Sequence, residues 1–114
     1  MDSDVHEWFD IAAAEEIAEG DVRAYLVGSE KVAVARAEGA LYAVQDRCSH
    51  DNGPLGEGCL IGFSVQCPRH GAKFDVRDGR VTSAPALLGI GTFEIRELNG
   101  RVQVKGTPVS DDDW

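Results

Sequence analysis

Two short runs in this 114-residue chain carry the side chains best suited to chemistry. Cys48-Ser49-His50 is followed, after 16 intervening residues, by Cys67-Pro68-Arg69-His70. Two thiolates and two imidazoles arriving as two close pairs are what one metal centre gripped by two loops requires. All three cysteines (48, 59, 67) and two of the three histidines (50, 70) fall in the stretch 46–71. Three cysteines cannot all pair, and in a reducing compartment a few Cys accompanied by His point to metal chemistry more than to a disulfide framework.

The same stretch departs from the rest of the chain in composition. Five glycines (53, 56, 58, 62, 71) and two prolines (54, 68) occupy it, seven of the 17 Gly and Pro in the whole sequence. A segment of that length buries too little to fix itself, so it needs an external tether or a function.

Around it, short β-rich segments recur between turn signals: 8–12, 22–27, 32–37, 41–45, 63–67, 72–75, 93–98 and 102–105. Gly28-Ser29, Glu38-Gly39, Asp78-Gly79 and Asn99-Gly100 punctuate them, and Asn99-Gly100 is the strongest hairpin signal. The one helix-like stretch, 12–19, has room for only about two turns and reads as a short connection. The pattern predicts an all-β sandwich or small barrel, with residues 1–114 as one domain.

Eleven Lys and Arg against twenty Asp and Glu give a net charge of −9, which argues against wrapping nucleic acid or an anionic membrane surface. Eleven of the twenty acids lie near the ends, among them Asp111, Asp112 and Asp113, and act first as a solubilising charge. The longest stretch without a charge, 81–93, has 13 residues, short of the roughly 20 a membrane helix needs. The acidic start, with Asp2, Asp4, Glu7 and Asp10, lacks the pattern of a secretory signal, so a cytoplasmic location is expected.

The pattern Cys-x-His, about 16 residues, Cys-x-x-His resembles the Rieske [2Fe–2S] motif, in which two Cys hold one iron and two His the other. Gly71 after the second His, Phe74-Asp75, Gly79 and Ala84-Pro85-Ala86 are similar to the downstream landmarks of soluble Rieske-type ferredoxins. The resemblance implies an antiparallel β-sandwich with a two-loop cluster-binding subdomain. It also implies Cys48, His50, Cys67 and His70 as ligands, one [2Fe–2S] cluster per chain, a proline loop covering the cluster, and Leu55 helping to shield it. A zinc site on the same four donors is the rival chemistry. Zinc pairs, however, usually leave two to four residues between cysteines and three to five between histidines, whereas each pair here mixes the types.

Two thiolates, two sulfides and two ferric ions sum to zero charge, so an electron is accepted more readily than by an all-Cys site. That places Rieske potentials at about −150 to +300 mV, against about −400 mV for plant-type ferredoxins. In the high-potential kind each ligand loop carries an extra Cys, and a hydroxyl donor follows the second His-Gly; here Gly53, Arg69 and Ala72 stand in those places, which predicts the low end. The resemblance implies a one-electron carrier between a flavoprotein reductase and a terminal non-haem iron oxygenase, both transient partners, with no nucleic acid and no membrane. Such a carrier is not itself an enzyme. The small subunit of an assimilatory nitrite reductase, or a zinc-stabilised interaction module, are the alternatives.

Other residues read more plainly. Cys59 is expected as a small buried apolar residue outside the ligand set. His6 reads as an ordinary strand residue. Arg47, Arg69 and Lys73 either solvate the loop tips or mark a docking surface.

Overall fold

The computed structural model describes residues 8–28, 30–46, 55–68, 71–83 and 89–108. Ten strands run through them: β1 (Trp8–Ala13), β2 (Val22–Val27), β3 (Glu30–Ala37), β4 (Ala40–Gln45), β5 (Cys59–Ile61), β6 (Ser64–Gln66), β7 (Lys73–Asp75), β8 (Val81–Ser83), β9 (Thr92–Leu98) and β10 (Arg101–Pro108). They form a six-stranded sheet in the order β1-β10-β9-β4-β3-β2 and a four-stranded sheet in the order β5-β6-β7-β8. Every pairing is antiparallel, as the sequence pattern leads one to expect.

Turn chemistry sets the register of the large sheet. Asn99 and Gly100 both have positive φ, 53° and 78°, the backbone that a two-residue hairpin needs to match strand twist, and Leu98 pairs with Arg101 across them. Glu38 and Gly39, at 54° and 83°, do the same between β3 and β4. The Glu19 carboxylate accepts from the N–H groups of both Glu38 and Gly39, at 2.7 and 2.8 Å, and holds that turn from outside.

The helix-like stretch shrinks to one 3₁₀ turn, Ala14–Glu16, because its backbone groups are engaged elsewhere. Arg36 donates to the carbonyls of Ile17 at 2.6 Å and Ala14 at 3.1 Å, while the Asp21 carboxylate accepts from the Ala18 N–H at 3.0 Å. Ile17 is thereby drawn into the core, and a two-turn helix offers too few bonds to compete.

β3 organises the interior because both of its faces are buried. Val32 and Val34 point into one apolar cluster with Val27, Ala43, Phe93, Val102 and Val104, within the large sheet. Ala33 and Ala35 point the other way, into a second cluster with Val44, Leu55, Val65, Cys67, Ala72, Phe74, Val76 and Ile90. The alternation of Val and Ala along β3 thus matches period-2 geometry to two cores, with the small side chains letting the four-stranded sheet approach closely.

A second junction joins the sheets near the surface. Tyr42 of β4 meets the Phe63 ring edge-on at 6.2 Å, and the Arg77 guanidinium lies 4.0 Å above that ring. Arg77 also donates to both oxygens of Asp75, at 3.0 and 2.7 Å. That side-chain hydrogen bond holds the Asp75 carboxyl below the ordinary carboxylate range, although partial burial acts in the opposite direction. Among the described residues no helix is long and apolar enough to cross a membrane.

Candidate metal centre

The second ligand loop grows from the β6–β7 hairpin. Cys67 follows β6 directly, and its N–H donates to the Ala72 carbonyl at 2.7 Å, while the Gly71 N–H returns to the Cys67 carbonyl at 3.1 Å. Gly71 makes this closure with φ +81°, which a side-chain-bearing residue adopts only under strain. Cys67 is 1% exposed and sits in the same apolar cluster as Leu55, Ala72 and Phe74. His70 and Arg69 lie outside the described residues.

The first loop leaves β4 at Asp46 and returns through a 3₁₀ turn, Leu55–Glu57, which leads into β5. Cys48 and His50, together with Arg47 and Gly53, lie outside the described residues. The returning chain is tightly fixed. The Asp46 carboxylate accepts from the Gly56 N–H at 2.6 Å, and the Gly58 N–H donates to the Leu55 carbonyl at 2.9 Å. A Cβ on Gly58 would lie 1.9 Å from the carbonyl oxygen of Gln66, so only glycine allows this approach. Gln66 immediately precedes Cys67, and the return of the first loop therefore presses against the base of the second. Leu55, 0% exposed, is buried beside Cys67 in the cluster.

This arrangement suits the donor set. Both loop bases converge, a buried cysteine stands at the convergence, and an open cleft of about 370 Å³ runs along it, lined by Gly58, Cys59, Gln66, Cys67, Pro68 and Gly71. Among the described residues no three His, Cys, Asp or Glu side chains gather around one point; Cys67 is the one sequence-predicted ligand within them. Cys59 corrects the sequence reading. It is exposed, because on the three-residue edge strand β5 the side chains alternate and Leu60 takes the more buried place. Its sulfur lies 3.7 Å from Gln66 Oε1. Lys73 is half-buried on β7, whereas His6 and the stretch 84–86 lie outside the described residues.

Two polar side chains with no role in the sequence reading stand out. Gln45, the last residue of β4, donates its N–H to the Gly91 carbonyl at 2.9 Å and accepts the Gly91 N–H on Oε1 at 2.8 Å. Asp46, next to it, holds Gly56. The available signal was a polar pair ending an apolar strand just before the ligand loop, but their partners are 46 and 10 residues away.

Residues 7–94 match the Rieske [2Fe–2S] domain, and the chain belongs to that family. Ferredoxin CarAc of Metapseudomonas resinovorans is 36% identical over 100 residues, covering 87% of this chain and 94% of that protein. The ferredoxin component of the naphthalene 1,2-dioxygenase/salicylate 5-hydroxylase systems of a Ralstonia species is 34% identical over 98 residues, covering 86% and 94%. A solved complex of reduced oxygenase and oxidized ferredoxin in carbazole 1,9a-dioxygenase contains a chain that superposes with a TM-score of 0.85 at 34% identity, covering 91% of this chain and 97% of that one.

The protein is accordingly a Rieske-type ferredoxin, an electron carrier with a [2Fe–2S] cluster and not a catalyst of substrate conversion. The cluster displaces the zinc alternative. When bound, it takes up one electron and gives it back, and the chain's part is to hold it and to set its surroundings.

Proposed function

We propose that Cys48 and Cys67 hold one iron and His50 and His70 the other, and that the protein passes single electrons from a flavoprotein reductase to a terminal non-haem iron oxygenase. The observation that carries the ligand assignment is the convergence of the two loop bases at Gly58 and Gln66, with the buried Cys67 beside them. One Cys and one His from each loop supply a cysteine end and a histidine end to a two-iron cluster. The partner assignment is supported by the names of the relatives, which are ferredoxin components of dioxygenase systems. The same names favour the oxygenase setting over that of a nitrite reductase small subunit. Both contacts are transient, residues 1–114 act as one domain, and the protein works in the cytoplasm.

The test is stepwise electron transfer. A flavoprotein reductase from such a system, supplied with reduced nicotinamide, should bleach the visible absorbance of the oxidised cluster. A terminal oxygenase with an aromatic substrate should then restore it. A cluster that the reductase reduces but no oxygenase reoxidises would overturn the partner assignment, and full iron and sulfide in His50→Ala or Cys48→Ala would overturn the ligand assignment.

A further inference from the structure

The end of β4 places two consecutive side chains on two different segments around the centre. The Asp46 carboxylate accepts the Gly56 N–H at 2.6 Å and so ties the 3₁₀ turn Leu55–Glu57 to the end of β4. Gly56 is also held from its other side, since a Cβ there would meet the Ala24 Cβ at 2.6 Å and the Ala24 nitrogen at 2.9 Å. Gln45 ties Gly91 through the paired bonds described above, and Gly91 follows Ile90, which is buried in the same apolar cluster as Leu55 and Cys67. Asp46 is itself anchored, its N–H donating to the Lys31 carbonyl at 3.0 Å. The strand beneath is rigid, as Ala43 and Val44 are buried and paired to β3 and β9.

We propose that Gln45 and Asp46 are positioning residues for the cluster, tying Gly91 and Gly56 to one strand end so that their neighbours Ile90 and Leu55 keep their place in the apolar cluster that contains Cys67. The inference rests on the ligand assignment above. Hydrogen bonds to a charged acceptor are among the stronger ones, and both ties are partly shielded from water. A loop fixed at its base also loses less order when it binds its metal, which links the tie to cluster retention.

The experiment uses the cluster-loaded full chain. Iron release to a chelator is followed by visible absorbance, and the reduced cluster is examined by electron paramagnetic resonance, which reads ligand geometry. Asp46→Ala should speed release by about tenfold and alter the resonance. Asp46→Asn keeps an oxygen acceptor and should return both close to the unmodified values. Gln45→Ala should likewise speed release, with Gln45→Glu restoring it, and it carries the test if Asp46→Ala does not fold. Asp10→Ala, which breaks an exposed bond to Arg101 on β10, should change neither readout. Unmodified release and resonance in both alanine variants, or an Asp46→Asn as fast as Asp46→Ala, would overturn the positioning role alone. Absence of any cluster signal in the unmodified protein would instead overturn the functional reading, and the positioning role with it.

Discussion

Cys67 and Ala72 are joined across the mouth of the β6–β7 hairpin by a 2.7 Å hydrogen bond from the Cys67 N–H to the Ala72 carbonyl, and both residues are buried. A proposed cluster ligand and the position where a hydroxyl donor is missing are thus locked together. Ala72→Ser would bring a donor into this dry environment. If its hydroxyl bonds a cluster sulfur about 1 kcal/mol more strongly in the reduced state, the midpoint should rise by roughly 40 mV, from about −150 mV. Redox titration of the two proteins checks this, and an unchanged midpoint would show that the new hydroxyl does not reach a sulfur.

Cys59 lies on the exposed face of β5, close to Gln66 and next to the cleft, yet outside the proposed ligand set. Cys59→Ala should keep the full iron and sulfide content and change stability by no more than about 0.5 kcal/mol. Cys67→Ala should lose the cluster. Metal and sulfide analysis separates the two outcomes, and loss of iron in Cys59→Ala would contradict the assignment.

Asp75 links acid stability to the junction between the sheets. Its folded-state pKa is lowered by Arg77, so its contribution is fully present above the unfolded value near 3.8 and disappears as pH falls through the folded one. Asp75→Asn should therefore cost up to about 1 kcal/mol at neutral pH, with the deficit shrinking once pH drops below about 4. Denaturant unfolding of both proteins across that window is the check. A deficit that stays constant into acid would mean that packing against Phe63, rather than the carboxylate charge, matters there.

Glu38 adopts φ 54°, a conformation that Asn tolerates better than Glu, in a turn already held by the Glu19 carboxylate through main-chain N–H groups. Glu38→Asn should leave those bonds in place and stabilise the protein by roughly 0.5 kcal/mol, read as a higher unfolding midpoint. A lower midpoint would show that the Glu38 side chain makes a contribution larger than the relieved strain.

Much of this architecture was legible because local physics and tertiary structure agree. The segment 22–27 forms β2 with the same bounds, and Asn99-Gly100 turns β9 into β10 through the positive φ angles its residue types favour. The four proposed donors stand out by type and spacing, and of them Cys67 lies among the described residues. What could not be read depends on contacts between distant parts of the chain. β5 and β8 pair only along β6 and β7, at the two edges of the small sheet, and the sequence pattern did not mark them. Cys59 faces outward because β5 is an edge strand, a fact of sheet order rather than of residue type. The ties from Gln45 to Gly91 and from Asp46 to Gly56, and the need for Gly58 under Gln66, appear only once the two sheets are packed.

A two-iron cluster with one cysteine-held and one histidine-held iron has a distinct signature in Mössbauer spectroscopy of the anaerobically purified, isotope-enriched protein. The expected result is two irons and two sulfides per chain in two inequivalent sites, one surrounded by sulfur alone and the other by sulfur and nitrogen. Two indistinguishable irons, or zinc without sulfide, would contradict it.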